Sequence, residues 1–325
     1  MKAIVIDHWV EKPGELVVGE APEPEVGAGM VGIAVKAAGC NFADILMVQG
    51  KYQMKPPFPF TPGAEVAGVV ESVGDGVDAV KPGDRVLATL LYGGFAEKAS
   101  APLQTVHRIP EQMSFEEAGV FPVVYPTAHA ALVHRARLRE GETVLVTAAA
   151  GGVGLATVQV AKALGARVIA LAGGDAKLEV VSKAGADVAI DYKKEDWVDR
   201  VKQETSGRGA DVIIENVGGE VFNGCTRCVA WDGRLVVVGF AGGKIPEIKA
   251  NRILLKHIAV IGLFFGMMVQ HAPEQVAETY RALFELVEAG KIKPLVWKSY
   301  PLDKTGEALE ALGSRRSWGK IAIVP

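Results

Sequence analysis

VLVTAAAGGVGLATVQVAKALGA, residues 144–166, sets an apolar run, a stretch almost free of side chains and a second largely apolar run in succession. That order reads as strand, tight turn and helix. Ala149, Ala150, Gly151, Gly152, Val153 and Gly154 fill the six places of a G-x-G-x-x-G turn, with alanine in the first. Gly151 and Gly152 allow the backbone to approach a pyrophosphate, and Gly154 allows the helix to lie close on the sheet. The helix N-terminus adds unpaired N–H groups and the positive end of its dipole. A bare turn alone also fits a merely tight connection. The surrounding strand–helix alternation favours a dinucleotide seat.

Working outward, strand-length runs at 143–147, 167–172, 187–192, 210–216, 233–239 and 257–263 are nearly continuous in Val, Ile and Leu. Parallel strands covered on both faces have that composition. The segments between them are long enough for crossover helices. The pattern predicts an α/β fold with a doubly wound, parallel Rossmann sheet. Before residue 118 the style differs: short runs such as AIVI, VGIAVKAAG and EVAGVVESVG are divided by Gly- and Pro-rich turns. These predict a β-rich, partly barrel-like domain. One strong helix follows residue 265, and then two strand-like pieces, LVWKSYP and GKIAIVP, that return to the first domain. The expected organisation is therefore 1–118 with 266–325 as a β-rich catalytic domain, and 119–265 as the dinucleotide-binding domain.

The second strand of the α/β half selects the dinucleotide. An NAD site places an acid at that strand's end to hold the ribose hydroxyls. Here the strand ends ALAGGDAK, with Ala172 at the position and Lys177 beyond it. The missing acid leaves room for a ribose phosphate and points to NADP(H). Lys177 taken alone reads more readily as a solvated helix lysine, and Asp175 is expected to cap the following helix.

The bulk numbers exclude other classes. About 49% of the 325 residues are hydrophobic and 22% charged, enough for large cores and against disorder. The net charge is −3, without a basic stripe, so nucleic acid is not an expected partner. Three cysteines do not form a disulfide framework. No apolar run reaches membrane-spanning length. The opening MKAIVIDHWVEKPG meets Asp7 too soon for a signal peptide. A soluble, cytoplasmic protein is expected.

Motifs along the whole chain resemble the medium-chain dehydrogenase/reductase superfamily, and more narrowly its zinc-independent quinone oxidoreductases, the zeta-crystallin group. They are NFADILMVQGKY (41–52), PGAEVAGVV (62–70), YGGFAEKA (92–99), TAAAGGVG (147–154), KLEVVSKAGAD (177–187), GRLVVVGF (233–240) and the ending SRRSWGKIAIVP. The resemblance implies a GroES-like β-rich domain. Zinc-dependent relatives carry a cysteine ligand where this chain has Asn41, and Gly-His-Glu where it has Gly63, Ala64 and Glu65; no metal is therefore expected. Cys225 and Cys228 form a C-x-x-C without a second pair, and packing is the favoured reading.

For the cofactor, the resemblance implies Lys177, Tyr192 and Arg315 around the ribose phosphate, with Arg316 as the alternative to Arg315. It places Thr127, Val238, Gly239, Phe240, Phe264, Phe265 and Gly266 near the nicotinamide. Asn41 stands where a metal ligand would, so it is expected to face the nicotinamide pocket as a cofactor-binding residue, where it either donates to a substrate oxygen or caps the helix after it. Tyr52 matches a tyrosine that enoyl-thioester reductases of the superfamily are thought to use as proton donor. The implied activity is hydride transfer to a small conjugated acceptor, a quinone or an α,β-unsaturated carbonyl, since no Lewis acid is present to polarise a plain ketone. The alternatives are an enoyl-thioester reductase and an NADPH-binding structural protein. The resemblance also implies a homodimer, or a dimer of dimers, joined through the strand near 258–263.

Overall fold

The computed structural model describes residues 1–325. The chain forms two compact units, 1–123 with 294–325 and 124–293.

The first unit carries β1 (Lys2–Ile4), β2 (Val18–Glu20), β3 (Met30–Gly39), α1 (Phe42–Val48), β4 (Glu65–Val73), β5 (Arg85–Thr89), β6 (Lys98–Pro102), β7 (Val106–Arg108) and α2 (Phe115–Gly119). Ten-residue β3 organises it. One edge of β3 pairs antiparallel with β4. The other edge takes β6 near its start and the C-terminal strand β15 at Ala38 and Gly39. Register shifts in the β3–β4 ladder let a strand with three partners bend. The interior holds Ile33, Val35, Val66, Val86 and Ile323 from the strands, with Phe95 from the segment before β6.

The second unit runs α3 (Val124–Ala130), β8 (Thr143–Val146), α4 (Gly152–Ala163), β9 (Arg167–Ala172), α5 (Asp175–Lys183), β10 (Val188–Asp191), α6 (Trp197–Glu204), β11 (Ala210–Glu215), α7 (Gly219–Cys228), β12 (Val229–Val237), α8 (Ala250–Lys256), β13 (Ala259–Gly262), α9 (Phe265–His271) and α10 (Pro273–Glu288). The chain then re-enters the first unit as β14 (Val296–Pro301), α11 (Thr305–Gly313) and β15 (Lys320–Val324).

The six strands of the second unit are all parallel, in the order β10-β9-β8-β11-β12-β13. The order reverses between β8 and β11, which opens a crevice beyond their C-terminal ends. This is the Rossmann sheet that the aliphatic runs predict. β12 starts at Val229, ahead of the expected 233, because Val229 pairs with Ala210 before a register shift.

The division between units differs from the expected one at its second crossing. Residues 266–293 stay with the α/β unit, because α10 buries Val276, Tyr280, Leu283 and Val287 and packs on α3. The first crossing lies at 123 rather than 118. No helix is long and apolar enough to cross a membrane.

Candidate active site

The residues singled out in the sequence fall into two clusters, one in each unit. In the α/β unit, β8 leads through a turn in which Ala148 adopts φ +46°, a left-handed conformation uncommon for alanine. Gly151 is the N-cap of α4 and no side chain caps the helix. The first N–H groups of α4 are therefore left for an outside acceptor. A Cβ on Gly154 would lie 2.2 Å from the Ala148 carbonyl oxygen, so only glycine permits this approach of helix to turn.

At the end of β9, Ala172 pairs in register with Asp191 of β10. The acid missing from β9 thus stands one strand away, and its carboxylate is occupied by the loop. Asp191 Oδ2 accepts from the Gly174 N–H (3.2 Å) and Oδ1 from the Lys193 N–H (3.0 Å). These backbone donors, then the nearby lysines, hold its pKa below the ordinary carboxylate value against the opposing effect of desolvation. Gly173 lies against the ring of Tyr192, where a Cβ would meet the phenol carbon at 2.9 Å. Tyr192 itself is 43% exposed. Lys177 sits in the first turn of α5. Asp175 is the first residue of that helix, whose cap is Gly174, and it pairs with Lys194 at 2.5 Å instead of capping.

Across the switch point, Glu215 is fully buried at the end of β11. Its carboxylate accepts from the N–H groups of Val217 (2.8 Å) and Gly218 (3.0 Å). Burial raises its pKa all the same. Asn216 donates from Nδ2 to the Thr147 carbonyl (2.9 Å), while its buried Oδ1 has no partner. An orphaned acceptor at this crevice suits a ligand that brings hydroxyl or amide donors. Val238 follows β12, with its N–H on the Glu215 carbonyl (2.9 Å). Gly239 comes next, and Phe240 is 39% exposed. Phe264 caps α9 and is exposed, Phe265 is buried, and Gly266 lies in the first turn of α9. Thr127 is buried in α3. The bare turn, the acid-free β9 end, Lys177 with Tyr192, and the open acceptor together fit a phosphorylated dinucleotide.

The second cluster lies in the β-rich unit. Asn41 precedes α1 and is buried, and both ends of its amide are engaged. Nδ2 donates to Glu65 Oε1 (2.8 Å) and to the Gly39 carbonyl (3.4 Å); Oδ1 accepts from Lys320 Nζ (2.7 Å). Lys320, 6% exposed, also donates to Glu65 Oε1 (2.7 Å) and to the Cys40 carbonyl (2.6 Å). Glu65 Oε2 accepts from the Val123 N–H (2.8 Å). Thus Asn41 holds the cap position but its side chain does not cap. The carboxylate of Asp44 accepts the Asn41 N–H (2.7 Å), and Asp44 Oδ1 is buried without a partner. Burial, opposed by backbone donors and Lys320, lifts the Asp44 pKa to about 7.

Tyr52 follows α1, with its N–H on the Leu46 carbonyl (3.1 Å) and its ring half-buried against the core. Burial, and then the charge of Asp44, raises its phenol pKa. Arg315 is exposed after α11 at φ +58°, and Arg316 Nε donates to Ser314 Oγ (2.9 Å).

Sequence reasoning missed Lys320, Asp44 and Glu215 as parts of these clusters. The one signal for Lys320 is a lysine opening an otherwise apolar terminal strand. No group of three or more His, Cys, Asp or Glu side chains converges. Cys225 and Cys228 are buried within α7, where desolvation raises both thiol pKa values, that of Cys228 to about 12. Such thiols are inert toward metal and redox partners.

A family profile for the alcohol dehydrogenase GroES-like domain matches residues 27–111, and one for a zinc-binding dehydrogenase matches residues 152–288. A quinone oxidoreductase-like protein 2 homolog of Nematostella vectensis is 44% identical over 92% of this chain and 82% of its own length. The structure of Escherichia coli quinone oxidoreductase complexed with NADPH superposes with a TM-score of 0.91 at 30% identity, covering all of both chains. A mycobacterial structure complexed with NADPH gives a TM-score of 0.93 at 31% identity, again over all of both chains.

Proposed function

The chain belongs to the quinone oxidoreductase family of the medium-chain dehydrogenase/reductase superfamily, and on that premise we propose a zinc-independent reductase that uses NADPH to reduce a quinone or an α,β-unsaturated carbonyl. The observation that carries the cofactor half is the pairing of a bare β8–α4 turn with an acid-free β9 end flanked by Lys177 and Tyr192. NADPH, when bound, supplies the hydride. The chain's own residues seat and orient it. The α4 N–H groups and Gly151 to Gly154 receive the pyrophosphate. Lys177 and Tyr192 receive the ribose phosphate. Thr127, Val238 to Phe240, and Phe264 to Gly266 line the nicotinamide end.

In the β-rich unit, an ammonium and an amide occupy the ground that a metal site needs. Lys320 and Asn41 bracket Glu65. This supports zinc independence and a conjugated acceptor, whose developing charge spreads onto oxygen and needs only hydrogen-bond donors. Tyr52 takes that donor role. Its phenol is protonated at neutral pH, as a proton donor must be. Asn41, held on Glu65 through one amide hydrogen and on Lys320 through its oxygen, keeps its second amide hydrogen, 3.4 Å from the Gly39 carbonyl, as the one it could offer to a substrate oxygen. β13 is one of the two edge strands of the Rossmann sheet, with Ala259 and Gly262 exposed, and it supports a homodimer closed strand to strand. The setting is cytoplasmic.

NADPH oxidation should be followed against a quinone, a short enone, an enoyl thioester and a plain ketone, with NADH and a chelator as controls. Chelator-resistant turnover of the quinone or enone, with NADPH preferred, is the expected result. Turnover of the ketone alone, or loss of activity on chelation, would overturn the reading. No turnover with any acceptor, while NADPH still binds, favours the structural alternative.

A further inference from the structure

The α/β unit holds a cavity of about 770 Å³ that none of the expected cofactor residues lines. Its volume lies within the usual range for small-ligand sites. Arg227 of α7, Lys244 and Lys249 of the loop after β12, and Arg252 of α8 line it, together with Glu220 and Glu247. Several basic side chains elsewhere in this unit are matched: Lys162 with Asp187, Arg167 with Glu204, Lys194 with Asp175, Arg234 with Glu142. Around the cavity they are not. Arg252 Nη1 donates to the neutral Thr226 hydroxyl (2.9 Å), and no carboxylate lies within 4.0 Å of any of the four cations. Four cations against two carboxylates give an excess of two positive charges in a chain whose net charge is −3. Uncompensated charge around a concave wall focuses the field on an incoming anion.

We propose that this cavity is a second anion site, separate from the dinucleotide seat, that binds a small ligand through its phosphate groups. The forked guanidinium groups of Arg227 and Arg252 suit bidentate contact with phosphate, and Lys244 and Lys249 add point charges. One loop also brings the site beside the nicotinamide end of the crevice. Gly218 packs between the Phe240 ring and the Lys244 carbonyl, where a Cβ would meet them at 3.2 and 2.4 Å. The same short loop therefore joins the cavity wall to a residue expected at the nicotinamide.

Calorimetric titration of the full chain, saturated with NADPH so that the dinucleotide seat is filled, tests the site with two probes, inorganic pyrophosphate and adenosine 3′,5′-bisphosphate. Binding of either is expected, weakening steeply as salt is raised, and at least tenfold weaker in the Lys244→Glu, Lys249→Glu double variant. A Lys291→Glu control, on the same unit outside the cavity, is expected to leave it unchanged. Tighter binding of the bisphosphate than of pyrophosphate identifies a nucleotide-bearing ligand; equal binding identifies a free phosphate compound. No heat from either probe, or equal weakening in the Lys291 control, overturns the proposal. A parallel loss of NADPH affinity in the double variant does so too, since the cavity would then belong to the dinucleotide seat. A Lys249→Ala single variant, expected to weaken binding about threefold, serves if the double variant fails to fold.

Discussion

The two clusters are built by opposite means. In the α/β unit the seat is made by leaving side chains out: glycines at the β8–α4 turn, alanine at the end of β9, glycine beneath Tyr192. In the β-rich unit it is made by burying polar side chains against one another: Asn41, Glu65 and Lys320, with Asp44 beside them. Backbone that waits for a ligand tolerates change everywhere but at a few close approaches. A buried charge network tolerates the loss of no member, because each desolvated group relies on the others.

That contrast breaks most visibly at Lys320. Lys320→Met leaves the carboxylate of Glu65 buried without its cation, and a loss of about 3–5 kcal/mol of stability is expected from chemical denaturation. A companion Glu65→Gln change should restore part of it. If Lys320→Met costs no more than an ordinary surface change, the network is not what holds the unit.

Tyr52→Phe comes next. Turnover is expected to fall roughly a hundredfold, the scale of a lost general acid, while the NADPH dissociation constant stays within twofold. An unchanged turnover would assign the ring to packing alone. On the other unit, Lys177→Ala is expected to weaken NADPH about tenfold, or about 1.4 kcal/mol, and to leave NADH unaffected. Equal weakening of both would make Lys177 a general support of the loop.

Two buried groups, one in each unit, respond oppositely to pH. Burial raises Asp44 from 3.8 to about 7, so its stabilising share is complete below pH 4 and lost as pH rises to 7. Burial lowers His129 from 6.5 to about 4, so its share is complete above pH 6.5 and lost as pH falls to 4. Denaturation midpoints measured across pH 4–7 should lose the first slope in Asp44→Asn and the second in His129→Gln. Parallel slopes in both variants would remove the assignment.

The same contrast explains what the sequence made legible. A seat built from omissions is local. Residues 144–166 hold strand, turn and helix together, and Ala172 can be judged against the strand it ends. Six aliphatic runs at regular spacing likewise announced the parallel sheet, since each strand carries its own composition. The buried network is long-range. Asn41 and Lys320 are brought together because β15 pairs with the end of β3, and nothing near Asn41 announces that contact. Its alternatives, substrate donor or helix cap, are both local readings; the side chain does not cap, and its amide is held by Glu65 and Lys320 from distant parts of the chain. The later crossing at 293 was hidden for a similar reason: α10 has an ordinary amphipathic pattern, and only its packing on α3 tells which unit owns it.

The late arrival of Lys320 bears on how the molecule is made. On a ribosome, Asn41 and Glu65 emerge long before the lysine that neutralises them, and the whole α/β unit is synthesised in between. The β-rich unit therefore waits, with an unmatched acid in its interior, while its neighbour completes a sheet from contiguous chain. Nascent chains stalled before the last strand should present a folded α/β unit and a protease-sensitive β-rich one, and release of the final residues should close it.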